Sequence, residues 1–121
     1  MLRVGVYDTA GKLANDIRNS KEYKEFTKYM IEVKSDNETE NLLKEYRLLQ
    51  LELQKNAINN KKLDKKGKSK IEAIQKRVSK NQTIYNYLIS EQKFTSMMEN
   101  INKILANVVE NDYKVKWFNK A

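Results

Sequence analysis

The stretch Asn81–Glu110, NQTIYNYLISEQKFTSMMENINKILANVVE, decides the fold. Within it Ile84, Leu88, Glu91, Met98, Ile101, Leu105 and Val108 lie close to heptad spacing, and Phe94, Met97 and Ile104 widen the same face. Apolar residues recurring at threes and fours over this length mark an amphipathic helix, because a strand would alternate with period two. The expected helix runs over about 82–110, with Asn81 as its N-cap. At 1.5 Å per residue it is about 43 Å long. A compact domain of this chain length measures roughly 35 Å across, so the helix overhangs a monomer. Its apolar stripe continues to the end, and a second copy of the chain is the simplest cover for the overhang.

Working outward, the same logic predicts four more helices. Asp8 reads as the N-cap of a helix over about 9–19 with Ala10, Leu13, Ala14 and Ile17 on one face. Met1–Tyr7 reads as a short apolar lead-in that packs on a neighbour. Ser20 caps a helix to about Lys34 with Tyr23, Phe26, Met30 and Val33 on its inner stripe, and Glu22 suits the positive end of its dipole. Ser35 and Asp36 punctuate the chain before a helix over about 37–59. There Leu42, Tyr46, Leu49 and Leu53 are broadened by Leu43, Leu48, Leu51 and Ile58, which is wide enough to pack on more than one neighbour. Residues 59–70 read as a basic loop containing Gly67. A helix resumes over about 69–80 with Ile71, Ile74 and Val78 on one side. The expected architecture is therefore all-α, a helical bundle of about five helices dominated by a long antiparallel hairpin of 37–59 and 82–110, and dimer-forming. It is one domain over 1–110, followed by an aromatic tail, 111–121. In that tail Trp117 and Phe118 either hang free or dock back on the bundle or on a second subunit, and docking would bury large apolar surface.

The 121-residue chain has no Cys and no His. This removes disulfides, thiolate metal sites, cysteine nucleophiles, and the commonest transition-metal ligand and general base. Three Gly are too few to write a phosphate-cradling loop. The absence of Pro suits uninterrupted helices. No apolar run is long enough to span a membrane, and no signal peptide opens the chain, so a cytoplasmic location is expected. No catalytic residue, cofactor, metal or small-molecule substrate is expected, and the chain is read as a non-enzyme.

The net charge is +8, and it is unevenly placed. Residues 61–80 hold nine cations and two anions, and the rest of the chain holds 15 cations and 14 anions. A +7 segment therefore sits in a nearly neutral protein. Lys61, Lys62, Lys65, Lys66, Lys68 and Lys70 are candidates for contact with an anionic partner, either RNA or an acidic protein surface. The competing reading is a solvated segment that keeps the protein soluble. The segment lacks aromatics for base stacking and has no Arg before Arg77 for guanine readout. Met30, Met97 and Met98 read as core before an adaptable groove. Glu91, on an apolar stripe, should be paired. Tyr46, Leu49, Leu53, Leu88, Phe94, Met98 and Ile101 are the candidates for core and subunit packing.

Three segments carry a resemblance. Asp16–Phe26 (DIRNSKEYKEF) resembles the opening signature of the YlbF/YmcA family of Gram-positive bacteria, which includes YheA/YmcA-like helical regulators. Leu42–Gln50 (LLKEYRLLQ) is similar to that family's second element. Asn81, Ile84, Tyr87, Leu88, Ser90, Glu91, Phe94 and Asn100–Ile104 are similar to its third. The ordered set covers about 10–108. The sequence departs from the pattern in lacking a proline after Asn81 and in carrying Ser90 in place of the usual Ala. The resemblance implies an all-α homodimer or larger oligomer with a regulatory, non-enzymatic role. It implies sister family proteins and a ribonuclease as partners, in a complex that adjusts RNase Y and mRNA processing and affects competence, sporulation and biofilm formation. The iron–sulfur cluster to which some members contribute cysteines does not carry over to a chain without Cys. The rival reading is an RNA-binding accessory module that uses residues 61–80, and an enzyme would need two facing carboxylates in a concave pocket.

Overall fold

The computed structural model describes residues 5–113. Five helices follow one another, α1 (Val6–Arg18), α2 (Lys21–Lys34), α3 (Asn37–Ile58), α4 (Lys65–Ser79) and α5 (Gln82–Tyr113), with no strand among the described residues. The all-α expectation with five helices holds. Trp117, Phe118 and the rest of the tail beyond Tyr113 lie outside the described residues, as do Met1–Val4 of the lead-in.

Local hydrogen bonds set most helix ends. Ser20 serves two helices at once. Its Oγ donates to the Ile17 carbonyl at 2.6 Å, closing α1, and accepts from the Tyr23 amide at 3.1 Å, opening α2. Asp36 Oδ2 accepts from the Thr39 amide at 3.2 Å and from the Thr39 hydroxyl at 2.6 Å, starting α3. Asn81 Oδ1 accepts from the Ile84 amide at 2.9 Å, which confirms it as the cap of α5.

Two starts differ from expectation. α1 begins at Val6, with Gly5 as the N-cap in place of Asp8. Asp8 instead sits third in the helix and reaches back, its Oδ2 accepting from the Gly5 amide at 3.4 Å. A carboxylate is as useful there as at the cap, because the free amides and the dipole both favour it. Val6 and Tyr7 are thus helical and exposed, at 82% and 92%, and do not form a packed lead-in. α4 begins at Lys65, four residues before the expected start, so the basic loop shrinks to 59–64. Asp64 is the cause. Its Oδ1 accepts from the Gly67 amide at 2.7 Å, and that cap holds Gly67 in the first turn despite its low helix propensity.

α3 ends on Asn60, whose φ of 54° lies in the left-handed region. The Lys61 amide donates to the Asn56 carbonyl at 2.9 Å and the Asn60 amide to the Ala57 carbonyl at 3.4 Å. This pairing is the Schellman arrangement, and Asn is the side chain other than Gly that best tolerates its left-handed residue.

The described residues form two compact units. The larger stretch of chain, 27–89, packs the end of α2, α3, α4 and the start of α5 around Val33, Leu42, Leu49, Ile74, Ile84 and Tyr87, all buried. α3 and α4 pack directly against one another, with Arg77 Nη1 paired to Glu45 Oε2 at 3.0 Å across their exposed edge. The other unit contains α1, the first turns of α2 and the remainder of α5. Its aromatic contact is a group of three: Phe26 stacks on Phe94 with centroids 5.1 Å apart, and Tyr23 tilts onto the same ring at 5.6 Å. Ala106 is buried there, but α1 buries no residue at all.

Candidate interaction surfaces

The apolar stripe of α5 changes character along its length. Ile84 is fully buried, Leu88, Phe94, Met97, Met98 and Ile101 are half-buried, and Ile104, Leu105 and Val108 stand 66%, 50% and 57% exposed. The pattern that fills a core at one end is therefore open at the other. Leu105 lies beside Val6, Ala10 and Leu13 of α1 in a shallow depression of the same unit. α3 repeats the theme. Leu42 and Leu49 are buried and Tyr46 and Leu53 half-buried, while Leu48, Leu51 and Ile58, which broaden the stripe, are exposed.

The 27–89 unit also has a groove of about 500 Å³. Met30, Val33, Leu43, Leu48 and Tyr87 make its apolar floor. Lys34, Lys44 and Arg47, with Glu40, contribute charge at its rim. Met97 instead lines a depression on the other unit, with Ile101 and Ile104, so the methionines do not make one groove. Glu91 is half-buried and is not without a partner, as its place on the stripe requires.

Lys61, Lys62, Lys65, Lys66, Lys68 and Lys70 are all exposed. The first two lie in the turn and the other four on α4, which gives those four fixed directions. Sequence reading missed this ordering because Gly67 and the run of lysines look like a loop. Asp64, three residues before Gly67, was the available signal for a cap. Among the described residues no cluster of acidic side chains could hold a metal ion, and no helix is long and apolar enough to cross a membrane.

Comparison with known proteins fits this arrangement. The family model described as "Control of competence regulator ComK, YlbF/YmcA" matches residues 6–110. The chain belongs to the YlbF/YmcA family. Family membership supports a regulatory role. Similar proteins include a UPF0342 protein of Clostridium tetani, 28% identical over 109 residues, covering 90% of this chain and 94% of the relative. A UPF0342 protein of Halothermothrix orenii is 29% identical over 107 residues, covering 88% and 91%. One of Lactobacillus delbrueckii subsp. bulgaricus is 28% identical over 111 residues, covering 92% and 95%.

Proposed function

We propose that this YlbF/YmcA-family chain is a non-enzymatic cytoplasmic regulator that works by protein–protein contact, first with a second copy of itself. The observation that carries the reading is the open end of the α5 stripe, where Ile104, Leu105 and Val108 are exposed on a helix whose start is core. Clustered exposed aliphatic side chains of this kind are costly in water and mark association surfaces. Within the family, sister proteins and an RNase Y-like ribonuclease complex are the further partners, and modulation of mRNA processing is the process served. Competence, sporulation and biofilm formation are the processes downstream.

Sedimentation velocity across a hundredfold range of concentration tests the first step. The wild-type chain should form a dimer or larger oligomer, and the double variant Ile104→Glu, Leu105→Glu should be monomeric with unchanged helicity. A monomeric wild type at all concentrations removes self-association. A tagged chain purified from its native cell should bring down a ribonuclease or a sister family member, and recovery of neither removes the complex.

A further inference from the structure

α4 buries one side. Gly67, Ile71, Ile74 and Val78 recur at spacings of four, three and four, with Ile74 buried and the others half-buried. Successive residues turn by about 100°, so the opposite side carries Lys65, Ser69, Glu72, Lys76 and Lys80, all exposed. Lys66, Lys68 and Lys70 flank that face, Lys70 on the side where Ala73 and Ile74 line a depression against α3. Among the described residues none of these six lysines is held in an ion pair. The two anions of the segment do little to offset them. Asp64 is committed to the Gly67 amide, and Glu72, at helical spacing from Lys68 and Lys76, is one anion among six lysines. Lys65 with Lys68, Lys66 with Lys70, and Lys76 with Lys80 are like-charge neighbours at helical spacing, an arrangement that works against the helix. An anionic ligand would relieve it.

We infer that the outer face of α4 binds the sugar–phosphate backbone of a double-stranded nucleic acid. The composition of the face selects that ligand from its rivals. A protein interface needs an apolar or aromatic anchor at its centre and is depleted in Lys. Here the centre is Ser69 and Lys76, and the charges are lysines apart from the single anion Glu72. Single strands are held by stacking on aromatic rings, and residues 61–80 contain no Phe, Tyr or Trp. Guanine edges are read by the fork of an Arg, and Arg77, the one Arg of the segment, is engaged by Glu45. What remains is point-charge contact with phosphates, which carries no sequence information. The small side chain of Ser69 lets the backbone of the ligand approach the helix. From Lys65 to Lys80 the face extends about 22 Å. A duplex advances about 3.4 Å per base pair, so the face runs beside about six pairs and supports about five phosphate contacts.

This inference is independent of the protein-contact reading, because the residues differ. Fluorescence anisotropy tests it with the full chain and a labelled 20-base-pair duplex, as RNA and as DNA, with the same strand unpaired as a third probe. Both the RNA and the DNA arm address the same chemistry, and their ratio tells which duplex geometry fits better. Binding should be indifferent to sequence, and log affinity should fall with log salt at a slope of about −4.5 for five contacts. That slope is about a 500-fold loss between 50 and 200 mM salt. Changing Lys65, Lys66, Lys76 and Lys80 together to Gln should abolish most binding with the circular dichroism spectrum unchanged. Each single change should flatten the slope by about one. A control with Lys12, Lys34, Lys55 and Lys103 changed to Gln removes the same charge from other exposed positions and should retain the slope. The inference is overturned if neither duplex binds at 50 mM salt, if the single strand binds better than both, or if the two quadruple variants lose affinity equally. Binding of poly-glutamate in place of either duplex also overturns it, in favour of an acidic protein partner.

Discussion

Ile84 is the one large side chain among the described residues with no exposed surface. It lies at the first turns of α5, where its amide donates the capping bond to Asn81 Oδ1. Ile84→Ala removes three carbons from full burial, which at about 0.8 kcal/mol each loses about 2.4 kcal/mol of transfer free energy. The neighbours relax only in part. If about 80 Å³ stays empty, a further 2 kcal/mol or so is lost at about 24 cal/mol per Å³. The expected destabilisation is therefore about 2.5–4.5 kcal/mol, a large share of the stability of a small domain. Urea titration followed at 222 nm measures it. Ile104→Ala is the matched control, because it deletes the same atoms from a position 66% exposed. It should cost less than about 1 kcal/mol in the dilute monomer. A cost at Ile104 that grows with protein concentration belongs to association. A cost at Ile84 below 1 kcal/mol, or an equal and concentration-independent cost at Ile104, would refute the assignment of core and open surface.

Three local perturbations follow from the helix ends. Asp36→Ala removes the cap of α3 and leaves the nearly buried Thr39 hydroxyl without its 2.6 Å acceptor, so stability should fall by about 1–2 kcal/mol in the same titration. Asn60→Val forces a β-branched residue into a φ of 54° and should cost about 1–2 kcal/mol, whereas Asn60→Gly should be near neutral. Gly11→Ala meets nothing within 4 Å in the middle of α1 and should strengthen that helix by up to about 1 kcal/mol. Since α1 buries no residue, the gain should be read in slower amide exchange along α1, with little change in the global unfolding midpoint.

The caps at Ser20, Asp36 and Asn81 were legible in the sequence because each is a bond between a side chain and an amide three residues on. Nothing distant takes part. The starts of α1 and α4 were harder because two acceptable solutions competed. Asp8 serves as well in the third position as at the cap, and Gly67 reads as a loop until the Asp64 bond is weighed. The depth of burial was least legible. Periodicity points Leu42, Leu49, Leu48 and Leu51 toward the apolar side of α3, but which of them is covered depends on neighbours far along the chain. Leu42 and Leu49 are 5% exposed, while Leu48 and Leu51 are 63% and 53% exposed. The candidate binding face had the same limit. The lysines were countable in the sequence, and their alignment appeared only once the first residue of α4 was fixed.

The turn between α3 and α4 has a kinetic consequence. Both of its ends are closed by bonds spanning no more than five residues, Lys61 to Asn56 on one side and Gly67 to Asp64 on the other. Such a turn can form before the rest of the molecule is in place, because little loop entropy is lost in closing it. α3 and α4 are then delivered to one another as neighbours, and the Leu49 and Ile74 side chains meet early. Early pairing of α3 with α4 is the expectation that follows, and φ-values near one at Leu49 and Ile74 would support it.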